Sequence, residues 1–192
     1  MKKTIILAAT FFMAYGASAQ MKAHFGVKAG VNASELHTKN SDLKSDTKIG
    51  FHAGLLAHIH SHGSQFAFQP EIIYSLEGAK NIGTSKTKQD LHFINVPLLA
   101  QYMFDNGFRI EAGPQIGFLV SAKANDNSNK NAFKSTAISL PVGVSYLTQS
   151  GLGFDARYSF GLTDLSEAGN KLTGNNFQFG LFWQFSDPKI SK

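Results

Sequence analysis

Apolar and polar residues alternate along most of the chain after about residue 20, and the alternating segments are separated by stretches rich in turn-forming residues. A period of two places successive side chains on opposite faces of a β-strand, so each segment predicts a strand with one apolar and one polar face. No segment shows a convincing helical period. The pattern predicts eight strands, at residues 23–31, 48–59, 65–78, 91–104, 108–120, 136–148, 152–162 and 176–185.

The connections between these strands alternate strictly between long and short. The long ones are rich in Asn, Ser, Thr, Asp, Lys and Gly and comprise residues 32–47, 79–90, 121–135 and 163–175. The short ones each contain glycine, which tolerates the positive φ of a tight turn, and comprise residues 61–64, 105–107 and 149–151. In an antiparallel meander this puts every long loop at one end, the layout of outer-membrane barrels with external loops and short periplasmic turns.

The composition of the two faces indicates which one is outside. A soluble barrel with an apolar interior would alternate equally well, but its surface would carry many more Lys and Glu than these polar faces, which are mostly Gly, Gln, Asn and Ser. The apolar faces carry aromatic rings near strand ends, as in the girdles at membrane–water boundaries. These rings are Phe25, Phe51, Phe66, Tyr74, Tyr102, Phe108, Phe118, Tyr146, Phe154, Trp183 and Phe185. We therefore predict an all-β fold, an eight-stranded antiparallel up-and-down transmembrane β-barrel with four long external loops and three short periplasmic turns.

The polar faces place charged residues inside this barrel. Eight strands enclose an interior that side chains fill, so a general diffusion pore is not expected. Buried charges are costly unless paired, which predicts an internal network of ion pairs and hydrogen bonds. An ion-conducting or catalytic lumen is the alternative. The residues concerned are Lys28, Glu71, Glu77, Arg109, Glu111, Asp155 and Arg157.

Four prolines fall inside predicted strands, where each removes a hydrogen bond from the ladder. Bulges or local bends are expected at these positions. The four are Pro70, Pro97, Pro114 and Pro141.

The chain begins with two lysines, a short apolar stretch from Ile5 to Tyr15, and Ala17-Ser18-Ala19. This three-part pattern predicts a secretory signal peptide over residues 1–19, and the apolar stretch is shorter than the roughly 20 residues of a membrane-spanning helix. The barrel is then expected over residues 20–185, followed by a short tail at 186–192.

The amino-acid composition excludes several kinds of site and partner. The chain has no cysteine, which excludes disulfides, thiol-based metal sites and a lipid-anchored N-terminus. The formal charge of +5 is carried partly by the signal peptide and mainly by the loops, so a nucleic-acid partner is not expected. The mean hydropathy of −0.11 is compatible with a barrel because alternating faces cancel in an average.

Candidate catalytic and metal-binding residues are few. The chain has no Gly-x-Ser-x-Gly elbow and no phosphate-binding glycine loop, so we predict no catalytic residues and no cofactor. His58, His60 and His62 alternate and could face one side as ligands of Zn²⁺ or Cu²⁺. Polar side chains at an interfacial strand end are the preferred interpretation, so no metal site is predicted.

The last strand ends in polar-x-Gly-x-x-aromatic-x-aromatic, formed by Gln178, Gly180, Trp183 and Phe185. This resembles the C-terminal signal by which the barrel assembly machinery recognises its clients, in which an exposed strand pairs through its backbone. That signal is usually terminal, whereas residues 186–192 follow it here.

Lysines recur in the long loops and could meet lipopolysaccharide phosphates by charge attraction, although solvated loop charge is the simpler interpretation. They are Lys39, Lys44, Lys80, Lys86, Lys88, Lys123, Lys130, Lys134 and Lys171.

Three blocks carry a family likeness: residues 25–32 (FGVKAGVN), 94–99 (INVPLL) and 111–118 (EAGPQIGF). With a mature start at Gln20 they resemble the PorT-like outer-membrane β-barrel family of Bacteroidota, along essentially the whole mature chain. The resemblance implies an eight-stranded outer-membrane barrel of a Gram-negative cell envelope. It implies no catalytic residues, and Pro97 and Pro114 stand at family-typical positions.

We therefore predict a non-enzymatic outer-membrane barrel with a structural, adhesive or partner-docking role through its long loops. Its expected partners are outer-membrane lipid and lipopolysaccharide, the barrel assembly machinery during biogenesis, and an envelope or surface protein. A lipid-modifying enzyme and a narrow transporter are the alternatives.

Overall fold

The computed structural model describes residues 21–38, 45–80, 87–125, 127–167 and 172–185. The predicted signal peptide at 1–19 and the tail at 186–192 lie outside these residues. None of the helices among the described residues is long and apolar enough to cross a membrane.

Ten strands and one short 3₁₀ turn, Lys130–Ala132, make up the described structure. The strands are β1 (Met21–Thr38), β2 (Lys48–Ser61), β3 (Phe66–Lys80), β4 (Lys88–Met103), β5 (Phe108–Ala112), β6 (Gln115–Ala124), β7 (Asn127–Ser128), β8 (Thr136–Leu147), β9 (Leu152–Gly161) and β10 (Leu172–Gln184).

These strands close into one antiparallel ring. β5 and β6 are two halves of the predicted fifth strand, and both lie between β4 and β8. β7 is a two-residue strand that pairs only with the end of β6. β10 pairs with β1 from Gly26↔Gln184 to Thr38↔Leu172, which closes the sheet. The ring therefore has eight barrel strands in up-and-down order, as predicted, and closure provides hydrogen-bond partners for the backbone in lipid.

Several strands run further than the sequence predicts. β1 continues to Thr38 and β10 begins at Leu172, so residues expected in long loops are paired with each other. Local composition favours loops here, but pairing with an adjacent strand supplies hydrogen bonds that composition does not report. At the other end the short turns are as predicted, with positive φ at Gly63, Gly107 and Gly151.

The four prolines form a band across neighbouring strands. Pro70 pairs with the residue after Pro97, and Pro97 pairs with the residue after Pro114. The backbone N–H of Gly113 donates to the carbonyl of Pro141 at 3.2 Å. The expected interruption occurs at Pro114, where β5 ends and β6 begins, whereas Pro70, Pro97 and Pro141 lie within continuous strands. The register shift between β4 and β6 falls at His92/Phe93 instead.

The apolar faces point outward, as predicted. Large apolar side chains on every barrel strand are exposed, including Phe51, Leu55, Ile116, Phe160 and Leu181. At the short-turn end, neighbouring rings form a near-continuous aromatic edge, with ring centroids 5.0–5.8 Å apart. These rings belong to Phe66, Tyr102, Phe104 and Phe108.

The interior contains two apolar clusters in addition to its polar side chains. At the loop end lie Leu36, Ala79, Leu91, Phe93, Leu119, Ala122 and Leu165. On the turn side lie Leu56, Leu147 and Phe182. Buried polar and charged side chains fill the part of the lumen between them.

Candidate functional site

Arg157 on β9 is the centre of a charged network in the lumen. Its Nη1 and Nη2 donate to the two carboxylate oxygens of Glu71 on β3, each at 2.6 Å. Its Nε donates to Glu111 on β5. The Arg157 side chain is only 3% exposed. Paired bonds from a guanidinium to a carboxylate fix the orientation of both groups, so Arg157 ties three strands together across the barrel.

A second ion pair extends this network to β1. Lys28 Nζ donates to Asp155 Oδ1 at 2.7 Å, and both side chains are almost fully buried. The same oxygen of Asp155 lies 3.9 Å from Arg157 Nε. The two ion pairs are therefore parts of one cluster, which we call the central network: Lys28, Glu71, Glu111, Asp155 and Arg157.

Two glutamines donate further hydrogen bonds to the central network. Gln69 Nε2 donates to Glu71 at 2.7 Å, and Gln101 Nε2 donates to Glu111 at 2.6 Å. Both amides are buried. Neither glutamine is among the charged residues that the sequence predicts for the lumen. Neutral amides next to a charged cluster carry no signal until the strand register is known.

Two residues predicted for the network lie outside it. Arg109 is buried, but no carboxylate of the described residues lies within ion-pair distance of it, and its Nη1 has no hydrogen-bond partner there. Glu77 lies nearer the loop end, where it accepts hydrogen bonds from Ser75 at 2.8 Å and Asn95 at 2.9 Å. Both face the lumen as predicted. Arg109 and Glu77 lie at other levels along the barrel axis and form no ion pair with the five residues of the central network.

Gly180 on β10 leaves the space that the Lys28–Asp155 pair occupies. A Cβ at this position would lie 2.6 Å from Asp155 Oδ2 and 3.0 Å from Lys28 Cε. We expect Gly180→Ala to lower the free energy of unfolding by about 1–3 kcal/mol, because the ion pair must shift. Urea unfolding of the refolded barrel measures this. Gly174→Ala on the same strand would contact only leucine methyl groups and one carbonyl at 3.3 Å or more, and it should cost less. Equal losses would contradict this role of Gly180.

The histidines at the turn end form a different group from the predicted one. His24 on β1 pairs with His58 across the sheet, and its ring stacks on that of His60 with centroids 5.4 Å apart. His62 is exposed in the turn instead. The strand register explains why His24 replaces His62 in this group, because it places His24 of β1 directly opposite His58 of β2. Among the described residues, no group of three or more His, Cys, Asp or Glu side chains is arranged to hold a metal ion.

A basic patch lies at the loop end on the ends of β3, β4 and β6 and the turn that follows. Its residues are Lys80, Lys88, Lys123 and Lys130, and all four are exposed. Strand register brings them together, since Lys80 pairs with Lys88, and Lys123 pairs with Asp90 two residues further along β4. Only Lys88 forms an ion pair with another described residue, with Asp90 at 3.2 Å.

Asp164 organises the described part of the connection between β9 and β10. Its Oδ1 accepts hydrogen bonds from the backbone N–H groups of Ser166 at 3.0 Å and Leu172 at 2.8 Å. These bonds hold the pKa of Asp164 below its usual range, with Lys134 at 3.6 Å adding to the effect. Its contribution to folding is therefore present at neutral pH and is lost as the pH falls through that lowered pKa.

The residues of the predicted assembly signal divide between the two faces of the last strand. Gln178 is buried in the lumen and Gly180 faces the Lys28–Asp155 pair, whereas Trp183 and Phe185 are exposed on the outer face. The backbone N–H of Phe185 donates to the carbonyl of Phe25 on β1 at 2.9 Å. This segment therefore takes part in the seam that closes the barrel.

Solved structures of other outer-membrane proteins share this fold. Neisserial surface protein A (NspA) has a TM-score of 0.61 and 16% identity, with 85% of this chain and 99% of that chain covered. Ail, the attachment invasion locus protein of Yersinia pestis, solved in complex with the heparin analogue sucrose octasulfate, has a TM-score of 0.55 and 14% identity, with the same coverage. No curated protein matches the chain.

The family comparison is consistent with the geometry. A closed ring with an apolar exterior and a charged, filled interior is the architecture of a protein that crosses the outer membrane. The model of a family described as an outer membrane protein beta-barrel domain matches residues 18–167. The chain belongs to this outer-membrane β-barrel family.

Proposed function

We propose that this protein is a non-enzymatic docking protein of the outer membrane, whose loop end binds an anionic glycan such as lipopolysaccharide at the cell surface. The observation that carries the proposal is the basic patch. Three of its four lysines form no ion pair with the described residues, so their charge is available to a partner. Clustered charge of one sign raises the local concentration of an oppositely charged ligand.

The central network supports a binding role over a transport role. Its side chains are almost fully buried and bonded to one another across the lumen. Passage of a solute would require these ion pairs to separate in a low-dielectric interior, which is costly. If the lumen does not pass a solute, the loops are the part of the molecule that can contact a partner. Loops on a rigid scaffold commonly carry function.

We also propose the orientation of the barrel in the membrane and its place within the outer-membrane β-barrel family. We place the loop end outside the cell and the short turns in the periplasm, as in other bacterial outer-membrane barrels. The blocks at 25–32, 94–99 and 111–118 support a place in the PorT-like branch, and Gln178, Gly180, Trp183 and Phe185 are proposed to engage the barrel assembly machinery. The complex of Ail with a sulfated heparin analogue supplies a ligand class for the experiment.

Neutralising the basic patch tests the proposal. The variant Lys80→Gln/Lys88→Gln/Lys123→Gln/Lys130→Gln should bind immobilised lipopolysaccharide or heparin at least about fourfold more weakly, because exposed charge interactions contribute roughly 0.2–1 kcal/mol each. Surface plasmon resonance on detergent-refolded protein measures the affinity. Binding of the unaltered protein should weaken as salt increases.

The control lies at the opposite end of the barrel. Lys22→Gln changes a lysine near the short turns, where β1 pairs with the end of β2, and should leave the affinity unchanged. If the fourfold variant binds as the unaltered protein does, or if neither binds these glycans, the proposed docking role is wrong.

A further inference from the structure

A cavity of about 40 Å³ lies in the lumen on the loop side of the central network. That volume accommodates roughly three water molecules. One wall is apolar and includes Leu36, Phe93 and Leu165. The other wall presents oxygen atoms, because Glu77, Ser159 and Asn176 line it.

Two glutamates, Glu35 and Glu77, line this cavity. The side chain of Glu35 is 42% exposed and lies beside His37, whereas the Glu77 carboxylate faces the lumen and no cation of the described residues lies within ion-pair distance of it. Its hydrogen bonds come from Ser75 and Asn95, with the side chain of Asn176 also in contact. Lys48 is close, but its ammonium pairs with Asp90 at 2.7 Å and donates to the backbone carbonyl of Glu77 at 2.8 Å. Lys48 therefore shares Asp90 with Lys88, which lies 3.2 Å from the same carboxylate, and it forms no ion pair with the carboxylate of Glu77.

The formal charges of the lumen lead to the same residue. The predicted lumen set has three cations, Lys28, Arg109 and Arg157, against four carboxylates, Glu71, Glu77, Glu111 and Asp155. Without Glu77, this set of seven has three positive and three negative charges. Glu77 is the member of the set without a counter-charge within it, and a carboxylate shielded from water without a counter-charge is unstable as an anion.

Two further oxygen atoms beside Glu77 are unsatisfied. Asn176 Oδ1 and Ser159 Oγ are buried and have no hydrogen-bond partner among the described residues. The two residues are 4% and 3% exposed and form a cross-strand pair between β10 and β9. Both side chains line the cavity. Buried polar atoms of this kind call for a ligand or ordered water.

We propose that this cavity binds one monovalent alkali cation, with Glu77, Asn176 Oδ1 and Ser159 Oγ as protein ligands and water as the remaining ligands. Carboxylate, amide and hydroxyl oxygens are hard donors that suit alkali and alkaline-earth ions. A single carboxylate balances one positive charge, whereas divalent sites usually collect several carboxylates. The cation offsets the unpaired charge of Glu77 and stabilises the loop half of the barrel, whatever partner the loops bind.

The test compares thermal unfolding midpoints of the detergent-refolded mature protein in NaCl, KCl and N-methyl-D-glucamine chloride at equal ionic strength and mildly alkaline pH. The organic cation is too large for the cavity. The midpoint should rise with Na⁺ or K⁺ and level off as the site fills, and it should not rise with N-methyl-D-glucamine. Glu77→Gln keeps acceptors for Ser75 and Asn95 and should remove the difference between the salts.

Two further variants complete the test. Glu167→Gln changes an exposed acid near the loop end and should retain the full ion dependence. Ser159→Ala leaves the carboxylate in place and should raise the half-maximal ion concentration roughly tenfold or more, as loss of supporting groups does at metal sites. Equal midpoints in all three salts would overturn the proposal. Unchanged ion dependence in Glu77→Gln or Ser159→Ala would also overturn the proposal.

Discussion

Replacing Arg157 with methionine is expected to lower the free energy of unfolding by about 3–5 kcal/mol. The substitution removes the cation that bonds Glu71 and Glu111 at once, and both carboxylates would remain buried without a partner. Methionine retains an unbranched apolar stem, so most of the loss reports the missing guanidinium group and its bonds to the two carboxylates. Urea unfolding of the barrel in detergent or lipid vesicles, followed by heat-modifiable gel migration, gives the measurement.

An exposed ion pair provides the matched control. Lys134→Met breaks the contact with Asp164 at 3.6 Å, where the side chains are 43% and 23% exposed, and should cost less than about 1 kcal/mol. Adding Glu71→Gln to Arg157→Met should recover part of the stability, because one of the two stranded charges is removed. A cost for Arg157→Met no larger than the control would show that the central network does not stabilise the barrel.

The second large effect is expected on the outer face. Leu181 lies among the outward apolar residues of β10, between Phe179 and Trp183, and is 53% exposed in the barrel. Leu181→Arg should destabilise the membrane-inserted barrel by about 2–4 kcal/mol, because a charge at the bilayer midplane loses its hydration. Unfolding from lipid vesicles, and not from micelles, is the relevant measurement.

The same substitution near the end of the strand is the control for depth. Thr173 occupies the same face of β10 at the loop end, and Thr173→Arg should cost about 0–1 kcal/mol. A depth-dependent difference identifies the outer face as the lipid-contacting one. Equal costs at the two positions would mean that Leu181 does not lie in the hydrocarbon core.

Much of the fold could be predicted because its signals are local. Alternation in β9 sets Phe154 and Phe160 against Asp155 and Arg157 within ten residues, and glycines mark the tight turns. Strand ends were less predictable. Residues 32–38 have a loop-like composition, yet β1 extends through them because β10 pairs with them to Thr38↔Leu172.

The sequence assigns charged residues to the lumen, but it does not show which of them contact one another. Arg109 and Arg157 occupy equivalent inward positions, and no local feature shows that only Arg157 contacts carboxylates. Arg157 and Glu71 are 86 residues apart in the chain. Similarly, the sequence groups His62 with His58 and His60, whereas the fold substitutes His24.

Side-chain parity and turn chemistry act over a few residues, so the alternating segments and their turns were enough to predict a closed antiparallel barrel with an apolar exterior. Which lumen charges pair, and where the prolines align, emerged only in the folded barrel. Those properties depend on the stagger between strands, which is fixed when the ring closes and has no counterpart in any single segment.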